Sequence, residues 1–454
     1  SIIFVIGEPV SKTAVHPAVQ KSVAWQNARV ELSPAIRRSQ KGFQFMLESR
    51  KVPEVLAPVG DMERLEAAVR YGADAVYLGS TEFGMRAASA NFGPEMLKKA
   101  VDYAHSHGVR VYLTCNTLPR SEEIRRMPDF IREAGRCGVD AFIVTDLGVL
   151  SLVREILPDA EIHISTQTGI VNYRTATELY KLGAKRVVLA RELSLEEIRD
   201  IRDNTPPELE LEVFVHGAMC MSFSGRCLLS NYMTGRDANR GQCAQPCRWN
   251  YRLVEEKRPG QYFPIFEDDT GSYILNAKDL CMLEHLNEVI EAGATSLKIE
   301  GRAKSSYYVS VVTNAYRMAV DSYLKQPEGW KLDPWLSEEV RKVSHRDYST
   351  GFFYGTPEQG QRYDNGGYIR QWDIVALVDR WENGTAYCTQ KNKFFAGDAL
   401  ELLEPGKKPE TIAIPSLFNG NGEEIPDTRH ANMPFSFPWG REIAPGAILR
   451  KAVY

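Results

Sequence analysis

From residue 54 onward, short apolar runs alternate with longer stretches in which apolar residues recur at helical spacing and charges occupy the other face. Apolar runs of that kind suit strands buried on both faces of a parallel sheet. The junctions repeat a helix end, a glycine and an apolar run: Gly72-Ala-Asp-Ala-Val-Tyr-Leu, Gly108-Val-Arg-Val-Tyr-Leu, Gly138-Val-Asp-Ala-Phe-Ile-Val, Gly183-Ala-Lys-Arg-Val-Val-Leu and Gly293-Ala-Thr-Ser-Leu-Lys-Ile. Glycine just past a helix takes the left-handed conformation that closes the last turn, and the run after it is the next strand. Adding 55–58, 161–165 and 211–215 makes eight candidate strands, with helices near 61–71, 94–106, 122–135, 147–156, 172–182, 194–202, 281–292 and 305–324. The pattern predicts an α/β chain with a (β/α)8 barrel over 51–345; a doubly wound open sheet is the structural alternative.

The regularity breaks once, after the seventh strand, where about 65 residues (217–280) intervene; insertions of that length in a compact barrel usually carry function. Beyond Pro327 the texture changes. Short alternating runs at 375–379, 385–389 and 399–403, set among turn residues, predict a small β-barrel domain over 346–454, with the boundary near 345. Residues 1–50 show neither period and read as an extension with no assigned function.

Composition narrows the class. With 43% hydrophobic and 25% charged positions in 454 residues, the chain reads as an ordinary globular protein. Lys and Arg total 55 against 59 Asp and Glu, a net charge of −4, so bulk electrostatics do not drive nucleic-acid binding and any RNA contact needs a local patch. No run approaches the roughly 18 apolar residues of a membrane helix, and the opening Ile2–Ile6 run lacks a basic flank. The expected compartment is the cytoplasm.

Eight cysteines are too few for a disulfide scaffold, yet four crowd into the insertion as Cys220-x6-Cys227-x15-Cys243-x3-Cys247. Four thiolates close a metal coordination sphere. Only the second half matches the paired knuckles of structural zinc, while iron–sulfur clusters accept varied spacings; cluster, zinc and unliganded thiols all stay open. Cys281 opens a predicted helix and is a substitute ligand or a packed thiol. Cys115, Cys137 and Cys388 read as core.

Side chains at the C-terminal ends of barrel strands converge on one mouth, so the first polar residues after each run are site candidates. They are Asp61, Ser80, Asn116, Asp146, Ser165 with Gln167, Arg191 with Glu192, His216, and Glu300 with Arg302. Asp61 and Asp146 precede helices and suit capping equally well. His216, four residues before Cys220, is a candidate acid, base or ligand, and Glu300 and Glu192 are further candidate bases. Arg302 beside Gly301, together with Arg86, Asn91, Asn116, Gln167 and Arg191, supplies candidate contacts to a small anionic substrate.

Glu212-Val-Phe-Val-His216-Gly-Ala-Met-Cys220, followed by Gly225-Arg-Cys227-Leu-Leu-Ser230, closely resembles the signature of the collagenase-like peptidase family U-32. Leu56-Ala-Pro-Val-Gly60-Asp61, the segment from Tyr77-Leu-Gly79 through Phe83-Gly-Met-Arg86 to Asn91-Phe92, and Lys298-Ile-Glu300-Gly-Arg302 resemble it too, so the likeness spans about 54–325. The stretch Asn231 to Trp249 looks most like the branch that makes 5-hydroxyuridine at the wobble position of tRNA with prephenate as hydroxyl donor. Other branches hydroxylate ribosomal RNA or a quinone precursor, and older naming calls the family proteases. The resemblance implies a 4Fe-4S cluster on Cys220, Cys227, Cys243 and Cys247, with Cys281 the nearest counterpart of a later fourth ligand in some relatives. It implies tRNA and a small anionic co-substrate as partners, and leaves oligomeric state open.

Two other function classes stand beside an RNA hydroxylase. A peptide hydrolase needs an activated nucleophile or metal-bound water, and the chain holds no H-E-x-x-H and no G-x-S-x-G. A noncatalytic RNA-binding factor would use the basic and aromatic residues Arg370, Trp372, Arg380 and Lys393 of the second domain.

Overall fold

The computed structural model describes residues 52–83, 91–220, 229–236, 242–246, 267–268, 271–272, 278–355 and 368–453. Seven parallel strands follow one another around a barrel: β1 (Glu54–Pro58), β2 (Ala75–Gly79), β3 (Arg110–Cys115), β4 (Ala141–Val144), β5 (Glu161–Ile164), β6 (Arg186–Val188) and β7 (Glu210–Ala218). After β8 (Asp279–Cys281), the strand β9 (Ser296–Ile299) pairs in parallel with both β7 and β1 and closes the ring. The expected (β/α)8 barrel is present, strand for strand.

Helices α1 (Met62–Arg70), α2 (Pro94–Ser106), α3 (Ser121–Cys137), α4 (Leu147–Ile156), α5 (Tyr173–Lys181), α6 (Leu195–Asp203), α7 (Leu286–Glu291) and α8 (Ser306–Lys325) surround it. Their starts are fixed by side chains that accept the orphan first-turn N–H groups. Asp61 caps α1 through Arg64 N, Asp146 caps α4 through Gly148 and Val149 N, and Ser305 caps α8 through Tyr308 N. Asp61 and Asp146 are therefore engaged as caps.

Two departures from the expected pattern sit next to the site. β7 outruns the short β6, and β8 returns antiparallel along it, with Asp279 opposite Ala218 and Cys281 opposite His216. Cys281 thus lies in a strand, not at the start of a helix, because the overhang of β7 offers an edge to pair with. In the other departure, the β7–β9 register slips between Lys298 and Ile299, which face Phe214 and His216 in turn. Val215 is the extra residue of a bulge, and a bulge reverses which side the following side chains face.

The barrel sheet also reaches past 345: β10 (Tyr348–Ser349), which follows α9 (Pro334–Arg341), pairs with β8. The second domain is a curled antiparallel sheet of eight strands. They are β11 (Trp372–Glu382), β12 (Thr385–Gln390), β13 (Ala399–Leu403), β14 (Glu410–Ala413), β15 (Leu417–Asn419), β16 (Glu424–Ile425), β17 (Pro434–Pro438) and β18 (Ile448–Ala452). Its own core includes Val375, Phe394, Leu400, Phe435 and Phe437, while Leu403 and Ile448 join the barrel's core cluster. Buried charge also fastens the two units: Arg450, fully buried, meets Glu339 at 2.6 Å and Glu401 at 2.7 Å.

Candidate active site at the barrel mouth

A cavity of about 550 Å3 opens where β9 ends. Its walls come from three regions: Glu300, Gly301, Lys304 and Tyr308 of the barrel, Ala218 and Gln245 of the cysteine-rich insertion, and Tyr368, Arg370 and Trp372 of the second domain. That volume falls in the range of small-molecule and nucleotide sites.

Glu300 is held by its backbone. Its N–H donates to His216 O at 2.8 Å, and its carbonyl accepts from Tyr308 Oη at 3.0 Å. Gly217, at φ +106°, lets β7 pass this close, since a Cβ there would stand 2.4 Å from Glu300 O. The Glu300 carboxylate lies 3.6 Å from Arg191 Nη2. Arg191 in turn donates to Ala218 O at 2.8 Å and stacks on Phe214 at 3.8 Å from the ring centroid. A carboxylate at the cavity wall, backed by a guanidinium, is placed to accept a proton or a hydrogen bond from a bound ligand.

The other candidates divide into groups. Asn91 and Arg302 meet each other, Nη2 donating to Oδ1 at 2.6 Å, which ties the loop after β2 to the loop after β9. Arg302 is buried, and Gly79 leaves room for its guanidinium. Asn116 and Gln167 converge on Thr145, whose Oγ1 lies 3.1 Å from Asn116 O and 3.2 Å from Gln167 Oε1, forming a polar ledge over β3 to β5. Glu192 is half-buried in the turn after Arg191. Arg86 lies outside the described residues.

His216 stands apart from the cavity. The Val215 bulge turns its ring outward into a cage of Tyr308, Tyr316 and Tyr348, with centroids 6.0, 5.6 and 5.1 Å away. Nε2 lies 3.3 Å from Tyr348 Oη, which itself donates to Val340 O. Burial, aided by the nearby His345 and Lys304, pushes its pKa down to about 3, so the ring is neutral at physiological pH. The expected mouth position for His216 is thereby corrected: it packs between barrel and helix and sets the position of Glu300 through its backbone carbonyl.

Of the four clustered cysteines, Cys220 is exposed just past β7 and Cys243 is half-buried, its Sγ accepting Gln245 N–H at 3.4 Å. Ser230 Oγ accepts Ala244 N–H at 3.0 Å and ties that turn to the short helix Leu229–Thr234. Each described cysteine is two residues from a cavity-lining residue, Ala218 or Gln245. Cys227 and Cys247 lie outside the described residues, and among the described residues no group of three or more ligating side chains gathers. Cys281 is different: burial pushes its thiol up to about 11, with Tyr316 hydrogen-bonded to it.

Residues 60–363 match the profile of Peptidase family U32, and residues 370–450 match that of the Peptidase family U32 C-terminal domain. The chain belongs to peptidase family U32. A relative from Bacillus subtilis (strain 168), tRNA hydroxylation protein P1, is 36% identical over 404 residues, covering 88% of this chain and 95% of that protein. An uncharacterized protease of Methanocaldococcus jannaschii is 43% identical over 385 residues, covering 84% and 90%. The 23S rRNA 5-hydroxycytidine C2501 synthase of Escherichia coli (strain K12) is 37% identical over 307 residues, 66% of this chain and 45% of that protein.

Both U32 matches meet between 363 and 370, close to where β10 leaves the barrel sheet and β11 begins. Within this U32 chain, sequence reasoning overlooked Lys304 and Tyr368, whose ammonium and ring lie 4.1 Å apart at the cavity wall. A signal for Lys304 was available, since it follows Glu300-Gly-Arg302 in the same loop. None marked Tyr368, because its place in the wall depends on how the second domain docks.

Proposed function

We propose that this chain is an RNA hydroxylase whose substrate is tRNA and whose target is carbon 5 of the wobble uridine, with prephenate as hydroxyl donor. The observation that carries this reading is the 36% identity to a tRNA hydroxylation protein over 95% of that protein's length. The cavity lined by Glu300, with Arg191 beside that carboxylate, is bordered by the cysteine-rich insertion and by an aromatic, basic wall of the second domain, as an enzyme acting on an extruded base requires. On this reading the protein works in the cytoplasm. Among the described residues no helix is long and apolar enough to cross a membrane.

Carbon 5 of uracil exchanges a C–H for a C–O bond. Its proton leaves to a base, and the donor keeps the electron pair of the C–O bond it gives up. Glu300 is our candidate base, because it is the carboxylate among His216, Glu300 and Glu192 that lines the cavity. Arg191 stands 3.6 Å from its carboxylate, and the Asn116–Gln167 ledge together with Arg302 is assigned to receive the anionic donor.

The cysteine donors fit an iron–sulfur centre: Cys243 already accepts a backbone N–H, the hydrogen bond that tunes a cluster thiolate, and Cys220 is accessible. Cys220, Cys227, Cys243 and Cys247 would hold a 4Fe-4S cluster, which when bound supplies electron transfer or Lewis acidity beside the cavity. A peptidase reading has the names of the family and of the archaeal relative behind it, yet no histidine lines the cavity among the described residues to activate a serine or cysteine.

Deletion of the gene followed by nucleoside analysis of bulk tRNA tests the proposal. Loss of 5-hydroxyuridine-derived nucleosides, restored by the wild-type gene, is the expected result. An unchanged nucleoside profile, with casein or collagen cleavage by the pure protein, would favour the hydrolase.

A further inference from the structure

Trp372 opens β11, so it belongs to the second domain, yet it lines the same cavity as Glu300. Two cations sit against its indole: Lys342 Nζ at 4.6 Å and Arg450 Cζ at 5.5 Å from the ring centroid. Neither lines the cavity, and Arg450 is fully buried, so both back the ring from the interior. They are themselves fixed. Arg450 Nη2 reaches both oxygens of Glu339 at 2.6 and 2.8 Å and Glu401 at 2.7 Å, while Lys342 meets Glu401 at 2.8 Å and Glu339 at 3.0 Å.

Two cations and two carboxylates cancel in charge, so the cluster adds no net field to the cavity; what it adds is rigidity. A ring held in one orientation loses little freedom when a ligand lies on it. At the rim, Arg370 is paired to Asp373 at 2.6 Å and keeps 63% of its side chain exposed, within reach of an incoming anion. A flat, immobilised aromatic face next to an exposed guanidinium is the combination that receives a base and its phosphate.

We propose that Trp372 is the stacking platform for the target pyrimidine and that Arg370 contacts the adjoining phosphate, so that the second domain supplies one wall of the substrate pocket. This rests on the RNA reading above and names the residues that receive the nucleotide. It makes a barrel without the second domain a pocket lacking one wall.

The test uses the full chain, purified anaerobically, and a fluorescein-labelled RNA hairpin with uridine at the wobble position, read by anisotropy at fixed salt. Trp372→Ala is expected to weaken binding by about tenfold or more, and Trp372→Phe to restore most of it. Arg370→Gln is expected to weaken binding less and to lower the salt slope by about one phosphate contact, a readout that Trp372→Ala leaves unchanged. Where Trp372→Ala fails to fold, Trp372→Leu, apolar but without an aromatic face, decides. Equal affinity of the folded Ala or Leu variant and wild type overturns the platform and leaves the RNA reading standing. Failure of the wild type to bind RNA of any sequence overturns that reading and the platform with it.

Discussion

The two ends of the barrel use the same residue types in opposite ways. At the N-terminal end, Arg186 meets Glu54 at 2.7 Å, Glu210 at 2.8 Å and Glu212 at 3.1 Å, with its side chain 3% exposed. Lys298 pairs with the other oxygen of Glu212 and lies 4.4 Å from the Tyr77 ring centroid. Burial would push the Glu212 carboxyl up, but Lys298 and Arg186 hold it at about 2. Every charge there faces another across the barrel lumen. At the mouth, Arg191 and Glu300 face each other at 3.6 Å, and Glu300 also faces a cavity. An ion pair sealed in a lumen specifies structure; one left with an open side can take up a ligand. Barrels keep stability at one end and chemistry at the other, and the function proposed above assigns this chain the same division.

If the division holds, the largest effect comes from breaking the sealed end. Lys298→Met leaves Glu212 buried with one partner fewer, and the expected loss is about 3–5 kcal/mol of unfolding free energy by denaturant titration. A loss under about 1 kcal/mol would mean that the lumen is wet. At the mouth the balance reverses. Glu300→Gln preserves shape and is expected to change stability by less than about 1 kcal/mol while lowering hydroxylation about a hundredfold or more, measured by single-turnover assays on tRNA.

His216 gives a pH signature of its own. Its folded pKa lies near 3, below the ordinary 6.5, so on acidification the unfolded chain takes the proton first. Stability therefore falls as pH drops below about 6.5, by about 2 kcal/mol at pH 5 from this residue alone. His163 and His345, both lowered by burial, act in the same direction. The pH slope of thermal unfolding should flatten in His216→Phe, and an unchanged slope would place the ring in contact with solvent. The smallest effect is expected at Cys281. Cys281→Ser should retain iron and the absorbance near about 400 nm after anaerobic purification, whereas Cys220→Ser and Cys243→Ser should lose both.

Much of this was legible in the chain. Five of the eight strands announce themselves because each lies after a helix-closing glycine, the other three show as apolar runs, and the mouth residues follow because they come next in line. Two kinds of information were hidden. A single bulged residue, Val215, moves His216 from lumen to helix side, and no pattern of apolar residues marks a bulge. Cys281 joins a strand because β7 overhangs its neighbour, a matter of strand lengths that only pairing decides. The sealed network was hidden for another reason: Glu210 and Glu212 alternate along β7 as solvent-facing residues would, and their partners lie far away in sequence at 54, 186 and 298. Trp372 could be singled out as an RNA contact, but only the docking of the domains brings it to the cavity of Glu300.

Mass spectrometry of tRNA nucleosides from a deletion strain carrying either wild type or Glu300→Gln tests the assignment of the mouth most directly. The wild-type gene should restore 5-hydroxyuridine derivatives, and the Gln variant, expressed at equal level and equally stable, should leave them at or near the deletion baseline. Full restoration by the Gln variant would contradict the assignment of Glu300 and, with it, the division of labour between the two ends of the barrel.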